Sequence, residues 1–227
     1  MSLVFPAPKT TTIPVLGGGE FPVRRVYCVG RNYAAHAREM GHDPNREPPF
    51  FFMKPTDAIV PNGFAIPYPP QTADYQHEIE LVVALKSGGA NIPAAKALDC
   101  VFGYAVGLDM TRRDLQNAAK KLQRPWEMGK SFEHSGPCAE ITPASQFKDP
   151  TKGAIWVKVN GTVKQTGDLS DMIWNVADTI AYLSDSIPLG AGDVIFMGTP
   201  EGVAPVVKGD KLHGHIDGLT DLNVTIV

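Results

Sequence analysis

Two glutamates set one residue apart, in His77-Glu78-Ile79-Glu80, lead directly into the apolar run Leu81-Val82-Val83-Ala84-Leu85. Residues two apart in a strand share a face. Glu78 and Glu80 therefore lie on one side with Val82 and Ala84, and Ile79, Leu81 and Val83 lie on the other. Neither side reads as an ordinary water-facing one. Two carboxylates held close on a mostly apolar strand raise each other's pKa or require a cation. The run supplies none, since Lys86 follows only after it. Two readings stand at this point. The carboxylates hold a hard divalent cation such as Mg2+ or Ca2+, which take carboxylate oxygens, or the stretch is an edge strand with solvated glutamates, as surface charge pairs usually are.

Such a strand needs neighbours, and the chain supplies them. Its 22 glycines and 20 prolines among 227 residues require many turns, hence short strands rather than a helical bundle. Strand patterns run from Arg24 to Gly30, Phe50 to Lys54, Val101 to Met110, Asp193 to Met197, Lys211 to Ile216 and Leu222 to Val227. Shorter ones fall near Ala58–Val60 and Phe64–Pro67. The stretch from Val157 to Gln165 reads as a tight hairpin about Asn160-Gly161. Helices are expected from Tyr33 to Met40 behind Asn32, near Pro93–Leu98, and from Met172 to Ser186. Thr111 and Asp114 suggest a capping box that opens a further helix, with Leu115, Ala118, Ala119 and Leu122 as its buried stripe. The helices do not alternate regularly with the strands, so a doubly wound parallel sheet is disfavoured. The expected fold is mainly β (α+β), with a few covering helices. Residues 1–22 read as an N-terminal arm or hairpin and residues 23–227 as one domain.

Composition narrows the function classes. A net charge of -3 without a Lys/Arg cluster argues against a nucleic-acid binder. The isolated Cys28, Cys100 and Cys138 do not form a disulfide framework. No leader pattern and no stretch of membrane-spanning length is present, so no membrane role is expected, and a reducing cytoplasm fits best.

The remaining polar residues suggest a site. On the strand from Val101, the small face Gly103-Ala105-Gly107 ends in Asp109 and lets a backbone or a ligand approach closely. Asp109 is either a third carboxylate of the same cavity or a polar strand end. Glu78, Glu80 and Asp109 would make an all-oxygen set, suited to Mg2+ or Mn2+ rather than structural zinc. Lys130 is either a solvated loop lysine or a cation that stabilises a developing enolate. His36 and Glu39, three apart, make either a surface pair or a base with its orienting carboxylate. Gln116 can reach back towards Asp109, and Thr199 in Gly198-Thr199-Pro200-Glu201-Gly202 could hold a substrate carboxylate. That loop lacks a nucleotide-binding pattern, and no nucleophile elbow occurs.

Taken together, VGRNYAAHAREMG, FFFMKP, YQHEIELVVAL, GYAVGLDMTRRDLQ, PWEMGKSFEHSGPCAEI and IFMGTPEGV strongly resemble the fumarylacetoacetate hydrolase family, from about Arg24 to the C-terminus. The resemblance implies a mixed β-roll, usually a homodimer, with one Mg2+ or Mn2+ per subunit on Glu78, Glu80 and Asp109. It also implies His36 and Glu39 as the water-activating pair and Lys130 as the enolate-stabilising cation. Arg31, Lys54, Arg113, Gln116 and Thr199 would bind substrate. The chain looks closest to the short acylpyruvate hydrolases, including the fumarylpyruvate hydrolases of gentisate (aromatic) breakdown, whose diketo-acid substrate is split into fumarate and pyruvate. Decarboxylation of oxaloacetate or a related keto acid, a fumarylacetoacetate hydrolase or isomerase activity, and a non-catalytic keto-acid binder are the rival expectations.

Overall fold

The run after Glu78 is the strand Ile79–Leu85, buried at every residue. It pairs antiparallel with Asp193–Phe196 on one side and Val101–Leu108 on the other. A strand paired along both edges cannot be a sheet edge, so the reading with solvated glutamates fails. Residues 3–34, 47–147 and 149–227 are described by this computed structural model. Among them the largest sheet runs, in spatial order, Phe50–Lys54, Arg25–Gly30, Asp193–Phe196, Ile79–Leu85, Val101–Leu108, Gly136–Cys138 and Ile59–Pro61, with Thr142–Pro143 added beside Val101–Leu108. Most pairs are antiparallel; Asp193–Phe196 with Arg25–Gly30 and Gly136–Cys138 with Ile59–Pro61 are parallel. The protein is a mainly β, α+β molecule, as its residue pattern predicts.

Both faces of this sheet are covered, which is why the strand after Glu78 is apolar on both sides. Ile79, Leu81, Val83 and Leu85 enter the larger core, together with Ile155, Val157 and Ile216 of a second sheet. That sheet orders Thr162–Asp168, Ala154–Val159, Lys211–Ile216, Leu222–Ile226 and Ala65–Ile66. Its first two strands are the hairpin expected about Asn160-Gly161. Val82 and Ala84 enter a smaller core with Cys28, Phe196, Ile13 and Phe21. The last two come from the hairpin of Thr12–Pro14 and Glu20–Pro22. The small face of Val101–Leu108 serves this core rather than a ligand. A Cβ added at Gly107 would lie 2.5 Å from Val82 Cγ2 and 2.7 Å from the Phe196 ring.

Two helices differ from expectation for physical reasons. The helix Arg113–Lys121 has no capping box: Asp114 accepts instead from Thr72 Oγ1 at 2.6 Å and the Ala73 N–H at 2.8 Å. It buries Arg113 and Gln116, while Leu122 beyond its end is 56% exposed. The stripe of Leu115, Ala118, Ala119 and Leu122 is therefore not its buried side, because this helix roofs a polar cavity rather than the core. The helix expected from Met172 begins only at Val176, where Asn175 Oδ1 accepts the Asp178 N–H at 2.9 Å. A 3-10 turn, Leu169–Asp171, ends just before Met172, whose backbone is extended. The helix expected from Tyr33 to Met40 lies largely outside the described residues. Cys28, Cys100 and Cys138 are buried free thiols. No helix of the described residues is long and apolar enough to cross a membrane.

Candidate active site

Two chain segments deliver three carboxyl groups to a common point. Glu80 is the second residue of its strand, Glu78 sits in the break between Tyr75–His77 and Ile79–Leu85, and Asp109 follows directly on Val101–Leu108. The Asp109 N–H donates to Glu78 O at 2.8 Å, which fixes the two breaks side by side. One oxygen from each of Glu78, Glu80 and Asp109 lies within 4.8 Å of the others, and all three residues are buried. Buried carboxylates need compensating charge. Folding brings in what the local sequence lacked. Lys130 Nζ lies 2.7 Å from both Glu78 Oε2 and Asp109 Oδ2, Lys54 Nζ lies 2.9 Å from Asp109 Oδ1, and the Arg113 guanidinium pairs with Glu78 Oε1.

The compensation is incomplete. Lys54 directs its protons to Met110 O at 3.3 Å, Lys130 O at 2.5 Å and Ser135 Oγ at 3.0 Å. An ammonium has three, so buried Asp109 Oδ1 has the Lys54 charge at 2.9 Å but no well-directed hydrogen bond. Glu80 receives the Gly198 N–H at 2.7 Å. Burial nevertheless pushes its carboxyl well above the usual range, and the charges of Asp109 and Glu78 push it further. A carboxylate oxygen short of hydrogen bonds, beside a carboxyl that would otherwise take up a proton, is what a hard divalent cation relieves. The donor set fits such an ion, with oxygen ligands only. Burial alone would lower the Lys130 pKa, but Asp109 and Glu78 hold it above the ordinary lysine value, so it stays charged.

Lys130 owes its position to close packing. It ends the short helix Glu127–Lys130, and a Cβ added at Gly129 would stand 2.9 Å from the Gln116 backbone nitrogen. Only glycine lets this turn press against the helix Arg113–Lys121. Arg113 in turn donates to Gln116 Oε1 at 2.6 Å and Gln76 Oε1 at 2.8 Å, so its fork is fixed in the plane that meets Glu78.

Around these groups lies a cleft open to solvent. Glu78, Glu80, Asp109, Lys130, Arg113 and Gln116 line its floor, and Arg31, Phe50, Lys120 and Trp126 are among the half-buried residues of its walls. Thr199 also lines it. The predicted site residues are thus gathered together with three exceptions. Lys54 is not part of the wall; it lies beneath Asp109 and supports it. His36 and Glu39 lie outside the described residues.

Residue patterns missed Gln165. Its amide donates to Thr199 Oγ1 and Pro200 O, each at 2.8 Å, while its oxygen accepts the Ile79 N–H at 3.1 Å and meets His77 Nδ1 at 2.8 Å. Thr199 Oγ1 accepts there and donates to no partner among the described residues. Gln165 is fully buried between the exposed Lys164 and Thr166. A glutamine on an otherwise exposed hairpin arm gives no sign of this in the sequence. His77 is buried, as expected for a packed neighbour of Glu78, and burial lowers its pKa so that it stays neutral.

The fold and this cleft define a β-rich enzyme built around a buried acidic triad. Residues 25–227 match the model of the fumarylacetoacetate (FAA) hydrolase C-terminal family. The chain belongs to that family and is an enzyme of the hydrolase class that gives it its name. It is 41% identical over 203 residues to the mitochondrial oxaloacetate tautomerase of Homo sapiens, covering 89% of this chain and 91% of that one. It is 42% identical over 184 residues to the fumarylpyruvate hydrolase of a Ralstonia species, covering 81% and 95%. Among solved structures, the fumarylpyruvate hydrolase of Pseudomonas aeruginosa in complex with Mn2+ and pyruvate superposes with a TM-score of 0.97 at 51% identity, covering 100% of this chain and 99% of that one.

Proposed function

We propose that this enzyme hydrolyses the carbon–carbon bond of an acylpyruvate, with fumarylpyruvate going to fumarate and pyruvate. The observation that carries the reading is the buried acidic triad on the cleft floor with the Lys130 ammonium 2.7 Å from two of its carboxylates. With a divalent cation on the triad, this floor would take up negative charge from a keto acid. Glu78, Glu80 and Asp109 would hold Mg2+ or Mn2+, which when bound supplies Lewis-acid polarisation of a keto oxygen. His36, oriented by Glu39, takes a proton from water as its oxygen bonds to the distal acyl carbonyl carbon. The bond between that carbon and the pyruvoyl methylene then breaks. The electron pair leaves with the pyruvoyl fragment as an enolate, beside the ammonium of Lys130, and a proton on the methylene carbon completes pyruvate. Arg113 and Gln116 position the substrate, and Thr199 donates its hydroxyl proton to a substrate oxygen. Arg31 adds positive charge at the wall. In this reading the enzyme is a cytoplasmic homodimer of aromatic breakdown, a state that light scattering of the purified protein checks.

A second reading is tautomerisation of oxaloacetate, favoured by the human relative at nearly the same identity as the Ralstonia one. It needs the triad and Lys130 but no activated water. Purified protein with Mn2+ or Mg2+ is assayed on fumarylpyruvate by chromatography of the products, and on oxaloacetate for enol loss and for CO2. Stoichiometric fumarate and pyruvate, abolished in His36→Ala, is the expected result. Enol–keto exchange or CO2 release without any cleavage of fumarylpyruvate would overturn the hydrolase reading.

A further inference from the structure

Among the described residues, Lys120 is a cation of the cleft wall that no carboxylate of the floor uses. Lys130, Arg113 and Lys54 each face a carboxylate of the triad. Lys120, on the same cleft wall, makes no ion pair among the described residues. Its ammonium instead lies 4.9 Å from the centre of the Trp126 ring. That ring is itself fixed, edge-on to Phe50 at 5.2 Å and tilted against Phe52 at 5.9 Å. Arg113, Gln116 and Lys120 follow one another at intervals of three and four along the helix Arg113–Lys121, so they form a row on one face. A helix rises about 1.5 Å per residue, which sets the Lys120 backbone about 10 Å beyond that of Arg113. The inner members of the row are buried; Lys120 is half-buried, towards the mouth.

We propose that Lys120 is the residue that selects the acyl arm: its ammonium, held by Trp126, binds a carboxylate at the far end of the substrate. Lys120 then restricts the enzyme to acylpyruvates whose acyl group is itself a short, extended carboxylic acid. The inference rests on the acylpyruvate-hydrolase reading above. A linear diacid with its pyruvoyl end over the triad points its second carboxylate along this row, away from Asp109. Charge supports the assignment. Burial lowers the Lys120 pKa to about 8, and Arg113, Lys130 and Arg31 lower it against the opposing pull of Glu78. A cation held at that disadvantage gains by meeting an anion.

The test compares wild type with Lys120→Met, which keeps the apolar stem against Trp126, and Lys120→Arg, which keeps the charge. Loss of a charged hydrogen bond predicts that Lys120→Met lowers the ratio of kcat/KM for fumarylpyruvate to that for acetylpyruvate about 10- to 100-fold. Lys120→Arg restores most of that ratio. Inhibition by pyruvate, which has no remote carboxylate, serves as a second readout and reports an intact floor in both variants. An unchanged ratio, or equal losses on both substrates and on pyruvate inhibition, would overturn the assignment while leaving the hydrolase reading in place. A wild-type enzyme that cleaves neither acylpyruvate would end both.

Discussion

Two regions of this protein gather acids and bases at hydrogen-bonding distance, and they differ in what they leave over. One is the triad of Glu78, Glu80 and Asp109 with Lys130, Arg113 and Lys54, buried beneath the cleft. The other lies on the second sheet. There Asp221 meets His213 Nε2 and His215 Nδ1, each at 2.6 Å, and Asp217 meets His215 Nε2 at 3.1 Å, with Trp156 stacked on His215 at 4.7 Å. In this second group every aspartate oxygen is matched, Asp217 Oδ2 by the Ala154 N–H at 2.9 Å. It is half exposed, so water screens whatever charge is left. In the first group Asp109 Oδ1 goes without a hydrogen bond and Glu80 is driven towards its protonated form. Ligand-type side chains in proximity therefore do not make a site. Carboxylates held together with burial working against their charge, on the floor of a cleft, do.

The contrast can be broken at its strongest point. Asp109→Asn should abolish Mn2+ binding in titration calorimetry and lower turnover about a thousandfold or more. Asp221→Asn should leave both at wild-type levels. Equal effects of the two substitutions would erase the distinction. Within the buried group, Lys130→Met separates charge acceptance from cation binding. It should reduce kcat about 100- to 1,000-fold while Mn2+ still binds. Loss of Mn2+ binding in that variant would mean that Lys130 holds the carboxylates together rather than serving the reaction.

The smallest effect belongs to the exposed pair. Burial alone would lower the His215 pKa, but hydrogen bonds from its ring to Asp221 and Asp217 raise it above the ordinary value. Its polar neighbours are His213, Asp217 and Asp221, with the Lys158 ammonium 4.5 Å from the centre of the Trp156 ring. A histidine whose folded pKa is raised contributes stability that is full below its unfolded value of about 6.5 and fades as pH rises through the folded one. Melting temperature should therefore decline slightly from pH 6 upwards. Asp221→Asn should flatten that decline and cost less than about 1 kcal/mol at pH 6. A larger loss would show that this group is more than a surface pair.

The spacing of Glu78 and Glu80 was enough to put two acids on one face, because period-two alternation is a local property of the chain; Asp109 stood open between a third carboxylate and a polar strand end, and only the family resemblance placed it in the set. The same locality made Asn160-Gly161 a hairpin and Ile79–Leu85 a strand. The buried stripe assigned to Leu115, Ala118 and Leu122 failed because periodicity reports that a helix has two faces, not which one meets a cavity. Gln165 and Lys120 stayed hidden for a related reason. A glutamine on an exposed arm and a lysine near a helix end look like solvated residues until a loop from elsewhere closes over the one and an aromatic wall rises beside the other.

Sequence alone thus determined which carboxylates would share a face, since that depends on bond geometry over a few residues. Only the tertiary structure decided how they are neutralised. Lys54, Lys130 and Arg113 arrive on separate segments, and counting their protons is what exposes the oxygen left without a well-directed hydrogen bond. Such a deficit belongs to the assembled cavity, where desolvation and the matching of donors to acceptors are settled together, and no single stretch of chain contains it.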